Sequence, residues 1–364
     1  MDRKGFEPLT SPMPWAHPTR LNDRPISNIK NETEFVKVNQ HLTEFILFLL
    51  GETHLTEFIL FLLGETHFNE TYKLVFTNET NMAVDKKGIV TYIELLKEDL
   101  CIFRIVPEDE VIPEYKTGQF LTLGMPIPSE NNKIVRRAYS LGSHPENKKY
   151  YEFVIRWVRK PLPGRVTTAL FNAGVGDEVS YIPPTGNALL ISDTLANGEP
   201  DNRRIVCLGG GTGLAPFVAF ARHLHDIGDK REIVVLHGSS YVDELSYKNE
   251  LTALEAESEE RGRDKWNFRY KASISRPQEW FNRSWAGETG RVETFLRPKS
   301  GGGDMSPLEE MVGEKVTPEN TIFYVCGWQG TVDGCMDFLK PAGFRVEKDK
   351  DENGNFSVKF ESYG

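Results

Sequence analysis

An antiparallel β-barrel followed by a doubly wound α/β domain is the fold class the sequence predicts, and three observations predict it. Between residues 88 and 158, short runs of strand character recur at near-regular spacing with turn residues between them. From Arg203 the rhythm changes to uniformly apolar runs, of the kind a parallel sheet buries on both faces, alternating with helical segments. At 204–216, RIVCLGGGTGLAP, a strand passes straight into glycines and then into a helix, which is how a helix N-terminus is brought up to a phosphate.

Size and composition agree with two domains. The chain has 364 residues, too many for one small core, and its 39% hydrophobic, 26% charged and 11% aromatic content supplies buried surface. A formal net charge of -10 argues against a chain-wide footprint for nucleic acid, so no nucleic-acid partner is expected. The four cysteines, Cys101, Cys207, Cys326 and Cys335, form no C-x-x-C pair; no metal site is expected, and a reducing cytoplasm fits better than a disulfide framework. No run of 18 apolar residues occurs, so no membrane-spanning helix is expected.

The first eighty or so residues read differently. HLTEFILFLLGET at 41–53 recurs unchanged at 54–66, and His67 starts a partial third copy. A copy this perfect reads as a recent duplication of coding DNA rather than a solenoid repeat, which would run about 20 residues or more. The alternative is a membrane-associating hairpin built on 45–50 and 58–63, although runs this short cannot cross a bilayer. Residues 1–40 carry Pro8, Pro12, Pro14, Pro18 and Pro25 and show no helical or strand period. Residues 1–81 are therefore expected to be a poorly structured extension containing the tandem repeat at 41–66. The basic start lacks the apolar region of a secretory signal, and Met82 is a candidate natural start.

Residues 82–192 form the expected barrel domain, with strands at 88–95, 100–106, 119–124, 138–142 and 151–158. The stretch 193–202, rich in Asp, Asn, Gly and Pro, reads as a linker. In the second domain, 203–364, strands are expected at 204–208, 233–237, 268–273 and 322–326, and helices at 215–225, 244–257 and 330–340. Glycines at 300–303 mark a surface loop.

The chemistry concentrates in a few segments. Gly209, Gly210, Gly211 and Gly213 allow positive dihedrals and close approach, and a helix starting near Leu214 points free N–H groups at a pyrophosphate; a plain tight turn is the alternative. The pattern is G-x-G-x-x-P, with Pro216 where the common dinucleotide fingerprint has glycine or alanine. The next strand ends His237-Gly238-Ser239-Ser240 without an acidic residue for a ribose 2′-hydroxyl, which favours NADP over NAD. Upstream, alternation in RRAYS puts Arg137 and Tyr139 on one face. A guanidinium there can fork onto a pyrophosphate and a phenol ring can lie flat on a flavin, while an ordinary strand is the alternative. Gly164, Val166, Thr167 and an incipient helix through Asn172 make a second phosphate cradle.

In this order the residues resemble the ferredoxin/flavodoxin–NADP reductase family, bacterial-type members most closely, over 88–364. The resemblance is carried by 115–120 (x-x-x-G-Q-F), 137–140 (R-x-Y-S), 164–167 (G-x-x-S/T), 211–216, Ser275-Arg276, Thr289-Gly290-Arg291, Cys326-Gly327 and the ending 360–364. It implies a six-stranded FAD-binding barrel followed by an NADP-binding domain, with flavin and nicotinamide meeting at the seam. By the same resemblance Arg137, beside Ala138, binds the FAD pyrophosphate, Tyr139 stacks on the isoalloxazine, Ser140 reaches the reactive N5, and Thr167 caps the pyrophosphate helix. Gly211, Thr212, Gly213 and Pro216 form the NADP loop with Ser239 and Ser240 beside it, and Arg276 and Arg291 hold the 2′-phosphate. Cys326 and Gly327 lie beside the nicotinamide, Tyr363 covers the flavin face that nicotinamide must enter, and Glu361 is a polar relay. Ser140, Cys326, Glu361 and Tyr363 are thus the catalytic candidates.

The expected function is an FAD-dependent oxidoreductase exchanging hydride with NADP(H) and single electrons with ferredoxin or flavodoxin. No cluster-binding cysteine motif occurs, so the carrier is expected to be a separate protein. Nine basic residues against Glu146 and Glu152 between Lys133 and Arg165 fit an acidic carrier, or an FAD phosphate site plus solvated lysines. The alternatives are the reductase component of an oxygenase and a flavin electron-transfer subunit that takes no nicotinamide nucleotide.

Overall fold

A computed structural model describes residues 85–299, 301 and 303–363. The expected extension 1–81, its repeat and Met82 lie outside the described residues.

The first half is one antiparallel sheet of β1 (Lys86–Lys97), β2 (Leu100–Pro107), β3 (Phe120–Ile127), β4 (Lys133–Ser140), β5 (Tyr151–Arg156) and β6 (Glu178–Thr185), in the order β4-β3-β6-β1-β2-β5. The edge strands β4 and β5 come into contact without sharing a ladder, so the expected barrel is a rolled sheet with one open seam. Phe103, Tyr151, Phe153 and Tyr181 fill it, and α1 (Arg165–Phe171) adds Val166 and Leu170 to the same core. Strand β6 was not among the expected strands, and its Pro183 and Pro184 are unusual inside a ladder. It nevertheless pairs on both sides, with its prolines in the irregular register between Ile182 and Thr185, where the ladder to β3 is interrupted.

The second half is a parallel sheet of β7 (Arg204–Gly210), β8 (Ile233–Ser239), β9 (Phe268–Ile274), β10 (Glu288–Thr289), β11 (Thr321–Gly327) and β12 (Val358–Ser362), in the order β10-β9-β8-β7-β11-β12. Along β7, Ile205 and Cys207 enter one core while Val206 and Leu208 enter the other, which is why the run carries no polar alternation. Helices α2 (Ala215–Asp226) and α3 (Lys248–Arg261) contribute to the first core, and α4 (Pro307–Val312) and α5 (Gln329–Leu339) to the second. Helix α3 starts four residues later than expected, since 242–244 form a 3-10 turn and Tyr247 sits at φ 55 just before it. From β7 the chain builds the sheet first towards β10 and then back towards β12, so a switch point lies at the C-terminal ends of β7 and β11. No helix among the described residues is long and apolar enough to cross a membrane.

Charged pairs tie the two halves. Arg222 of α2 donates to Glu152 of β5 at 2.7 Å and to the Gly142 carbonyl at 2.8 Å. Arg156 and Lys97, from β5 and β1, reach Glu244 at 2.9 and 3.4 Å.

Candidate functional site

Two clefts open beside this seam and share a wall. One, of about 540 Å³, is bordered by Arg137, Ala138, Tyr139 and Ser140 of β4, by Gly164 and Thr167, and by Glu361 and Tyr363 at the chain end. The other, of about 680 Å³, lies over the switch point and is bordered by Gly211, Ser239, Ser240, Arg276 and Arg291. Arg156, Val158, Thr212 and Trp328 line both.

In the first cleft Arg137 is exposed and Tyr139 half-buried, with its ring edge-on to Phe153 at 6.4 Å. Burial pushes the Tyr139 phenol up, and its hydroxyl lies 2.9 Å from Thr167 Oγ1. Thr167 does not cap α1: the N-cap is Gly164, without a side-chain bond, and Thr167 stands three residues later. Its hydroxyl is on Tyr139 instead, and the first N–H groups of α1 keep no side-chain partner. Val166 is buried in the barrel core and reaches neither cleft.

The glycine segment divides its labour. Gly211, at φ 57, has nothing within 4 Å of where a Cβ would stand, so backbone there faces open cleft. Gly213 serves packing: a Cβ would lie 2.2 Å from the Cys326 carbonyl oxygen. A 3-10 turn at 211–214 precedes α2, and Pro216 is buried in its first turn, where a missing N–H costs nothing.

Cys326, expected beside the reacting ring, is fully buried and lines neither cleft. Burial and, after it, Glu361 push its thiol well above the ordinary value, so it is a neutral core side chain with Tyr363 packed against its cluster. Gly327 accepts the Tyr363 N–H at 3.1 Å, fixing the last strand's exit. The Tyr363 hydroxyl lies 3.0 Å from Thr212 Oγ1 and 3.3 Å from the Gly210 carbonyl, and its ring meets Trp328 at 6.2 Å. Glu361, paired with Cys326 across the β11–β12 ladder, is half-buried, and burial raises its carboxyl above the usual range.

In the second cleft Arg276 donates to the Tyr241 hydroxyl at 2.7 Å, and Arg291 pairs with Glu293 at 3.0 Å. Contrary to the expectation from the end of β8, a carboxylate is present. Glu244 returns to accept the Ser240 N–H at 3.3 Å, but Arg156 and Lys97 engage it. Tyr241, Glu244 and Trp328 were missed. Each stands within four residues of a singled-out position, and none has an intrinsic signature that separates it from a surface residue. Of the nine cations between Lys133 and Arg165, Arg136, Lys148, Arg156, Arg159 and Arg165 have acidic partners. The expected basic face is therefore smaller than its sequence count.

These residues fit a dinucleotide in each cleft: an exposed arginine and an uncapped helix start in the first, open glycine backbone and two cleft-facing guanidiniums in the second.

Residues 87–189 match the oxidoreductase FAD-binding domain family and residues 207–336 the oxidoreductase NAD-binding domain family. The chain is 29% identical over 209 residues to one component of the Na(+)-translocating NADH-quinone reductase of Marinomonas sp., covering 55% of this chain and 44% of that protein. It is 27% identical over 262 residues to the reductase component of propane 2-monooxygenase from Mycolicibacterium goodii, covering 70% and 63%. The chain spans about half the length of the first curated relatives it matches. A ferredoxin NADP+ reductase from Neisseria gonorrhoeae, with bound FAD and NADP, superposes with a TM-score of 0.60 at 21% identity, covering 76% of this chain and 98% of that one. The Plasmodium falciparum ferredoxin-NADP+ reductase gives 0.57 at 16%, covering 79% and 99%. These likenesses show a common fold.

Proposed function

Because the chain belongs to the ferredoxin–NADP reductase family, with an FAD-binding and an NAD(P)-binding oxidoreductase domain in series, we propose that it exchanges hydride with NADP(H) and single electrons with a separate ferredoxin or flavodoxin. The shared wall of the two clefts carries this reading. Hydride transfer needs donor and acceptor atoms about 3–3.5 Å apart, and this reading is supported by Thr212 and Trp328 lining both clefts, with Tyr363 in contact with each of them. FAD, when bound, supplies a group that takes up two electrons together and releases them singly.

The chain's own residues bind and orient. Arg137 and the N–H groups after Gly164 hold a diphosphate, with Val166 anchoring that turn in the core. The Tyr139 ring offers a flat face held by Thr167, and the Ser140 hydroxyl a polar contact one residue on. Gly211 and Thr212 approach the second nucleotide by backbone, with Ser239 and Ser240 beside them, and Arg276 and Arg291 select a 2′-phosphate. Tyr363 keeps water and idle nucleotide off the ring site until displaced. Glu361, whose carboxyl burial raises above its ordinary value, offers a polar group beside the same cleft. Cys326 acts as a buried support beneath them.

Anaerobic mixing tests the proposal. NADPH should bleach the flavin faster than NADH, and reoxidation should require added ferredoxin or flavodoxin. No bleaching by either nucleotide would overturn it. A second reading, delivery of electrons to an oxygenase, is supported by the match to the propane 2-monooxygenase reductase component; it predicts NADH bleaching at least as fast and no response to ferredoxin.

A further inference from the structure

We propose that Glu293 is a positioning residue that aims Arg291, and so sets the preference of the second cleft for a nucleotide carrying a 2′-phosphate; this rests on the reading of Arg291 as a ligand for that phosphate.

The two residues leave one turn with opposite exposure. Arg291 Nε lies 3.0 Å from Glu293 Oε1, yet the arginine side chain is 55% exposed and borders the second cleft, while the glutamate side chain is 10% exposed and lines neither cleft. Glu293 belongs to the 3-10 turn Val292–Leu296, whose Val292 and Phe295 enter the second core of the parallel sheet beside Val332, Cys335 and Met336 of α5. Its Oε2 is buried without a hydrogen-bond partner, and among the described residues Arg291 is its only ion-pair partner. Stability gives no reason for this arrangement. A carboxylate taken out of water for one half-exposed cation recovers little of its desolvation cost, and an apolar side chain would serve that core better. What the carboxylate supplies is a fixed point behind the guanidinium.

The backbone at Arg291 is already held. Gly290, at φ 111, donates to the Ile274 carbonyl at 2.8 Å, and the Arg291 carbonyl accepts the Thr294 N–H at 2.9 Å and the Thr294 hydroxyl at 2.6 Å. The remaining freedom is in the arginine side chain, and ordering such a chain on binding costs affinity. Helix α5 furnishes the seat. A Cβ at Gly330 would stand 3.5 Å from Arg291 Nη2, and one at Gly334 would stand 3.1 Å from the Glu293 carboxyl, so the pair lies along a helix face that two glycines four apart leave open. With Nε turned to the carboxylate, the edge carrying Nη1 and Nη2 is the one a phosphate can take bidentately. Arg276 has no such backing: it is held by the Tyr241 hydroxyl and by Glu279, an exposed side chain.

Isothermal titration calorimetry of the FAD-loaded full chain with adenosine 2′,5′-bisphosphate and with 5′-AMP, which differ only in the 2′-phosphate, tests the assignment. Glu293→Gln should weaken the bisphosphate by about fivefold or more and leave 5′-AMP within about twofold. Added to Arg291→Ala, the same change should move neither constant by more than about twofold, because its effect passes through the arginine. Where Glu293→Gln loses flavin, Glu293→Asp, which keeps the charge but withdraws it by one methylene, should weaken the bisphosphate alone in the same way. A parent that binds both compounds alike would overturn the reading of Arg291 and this inference with it. A parent that discriminates would overturn this inference alone if Glu293→Gln discriminates as well as the parent, binds the bisphosphate more tightly, or weakens both ligands equally.

Discussion

The Tyr363 hydroxyl lies 3.0 Å from Thr212 Oγ1, so the last aromatic ring is fastened to the turn that begins the nucleotide loop. Under the proposed function, a nucleotide ring entering between the clefts would have to break that contact and the packing behind it.

Replacing Tyr363 by Ser removes the competitor. A hydrogen bond of this kind is worth about 0.5–1.5 kcal/mol net, and the lost ring packing adds to it. The dissociation constant for NADP+ should fall roughly tenfold, with a larger proportional gain for NAD+, as read by difference absorbance titration. Equal affinities before and after would remove Tyr363 from its proposed role.

Arg276→Ala and Arg291→Ala should each raise the KM for NADPH at least tenfold while changing that for NADH less than threefold. Both guanidiniums border the second cleft, and charge-assisted bonds to a phosphate are the interactions removed. Steady-state assays with both nucleotides give the ratio; parallel losses would point to a fold defect instead.

Arg222→Ala should destabilise the seam by about 1.5–3 kcal/mol, the worth of hydrogen bonds to a charged group, because the buried Glu152 carboxylate loses Arg222 but keeps Arg104. Burial alone would push the Glu152 carboxyl up, but Arg222 and Arg104 outweigh it and hold it below its ordinary value. That contribution is present above the unfolded pKa and fades as pH falls through the lowered folded one. Urea midpoints at neutral pH should drop in the variant, and the gap should narrow in acid.

Glu361→Gln should act with the opposite sign. The Glu361 carboxyl is raised by burial, so parent and variant match in acid, where the carboxyl is protonated in both states. As pH climbs from about 4.3 the unfolded carboxyl ionises first, and the parent loses stability relative to the variant until its raised folded pKa is passed. Urea titrations from pH 4 to 8 should show the variant gaining; a constant offset would mean that the carboxylate is compensated.

The two-layer plan was legible because period two and uniformly apolar runs report burial directly, as along β7. The strands at 178–185 and 358–362 were not legible, since the first carries Pro183 and Pro184 and the second is five residues long with Lys359 and Glu361 among them. Local signals likewise identified the glycine turn but not the division of its glycines, because Gly213 is needed by Cys326, 113 residues later.

From residue order alone came the class of fold, the glycine turn before α2, the Arg-x-Tyr-Ser strand and the two arginines of the second cleft. Tertiary structure alone decided that Cys326 is sealed in the core, that Thr167 serves Tyr139 rather than a helix end, and that Glu244, at the second cleft, is already engaged by Arg156 and Lys97. The reason is range. Backbone preference and hydrophobic period act over a few residues, whereas burial and ion pairing depend on which distant segments the folded sheets bring together.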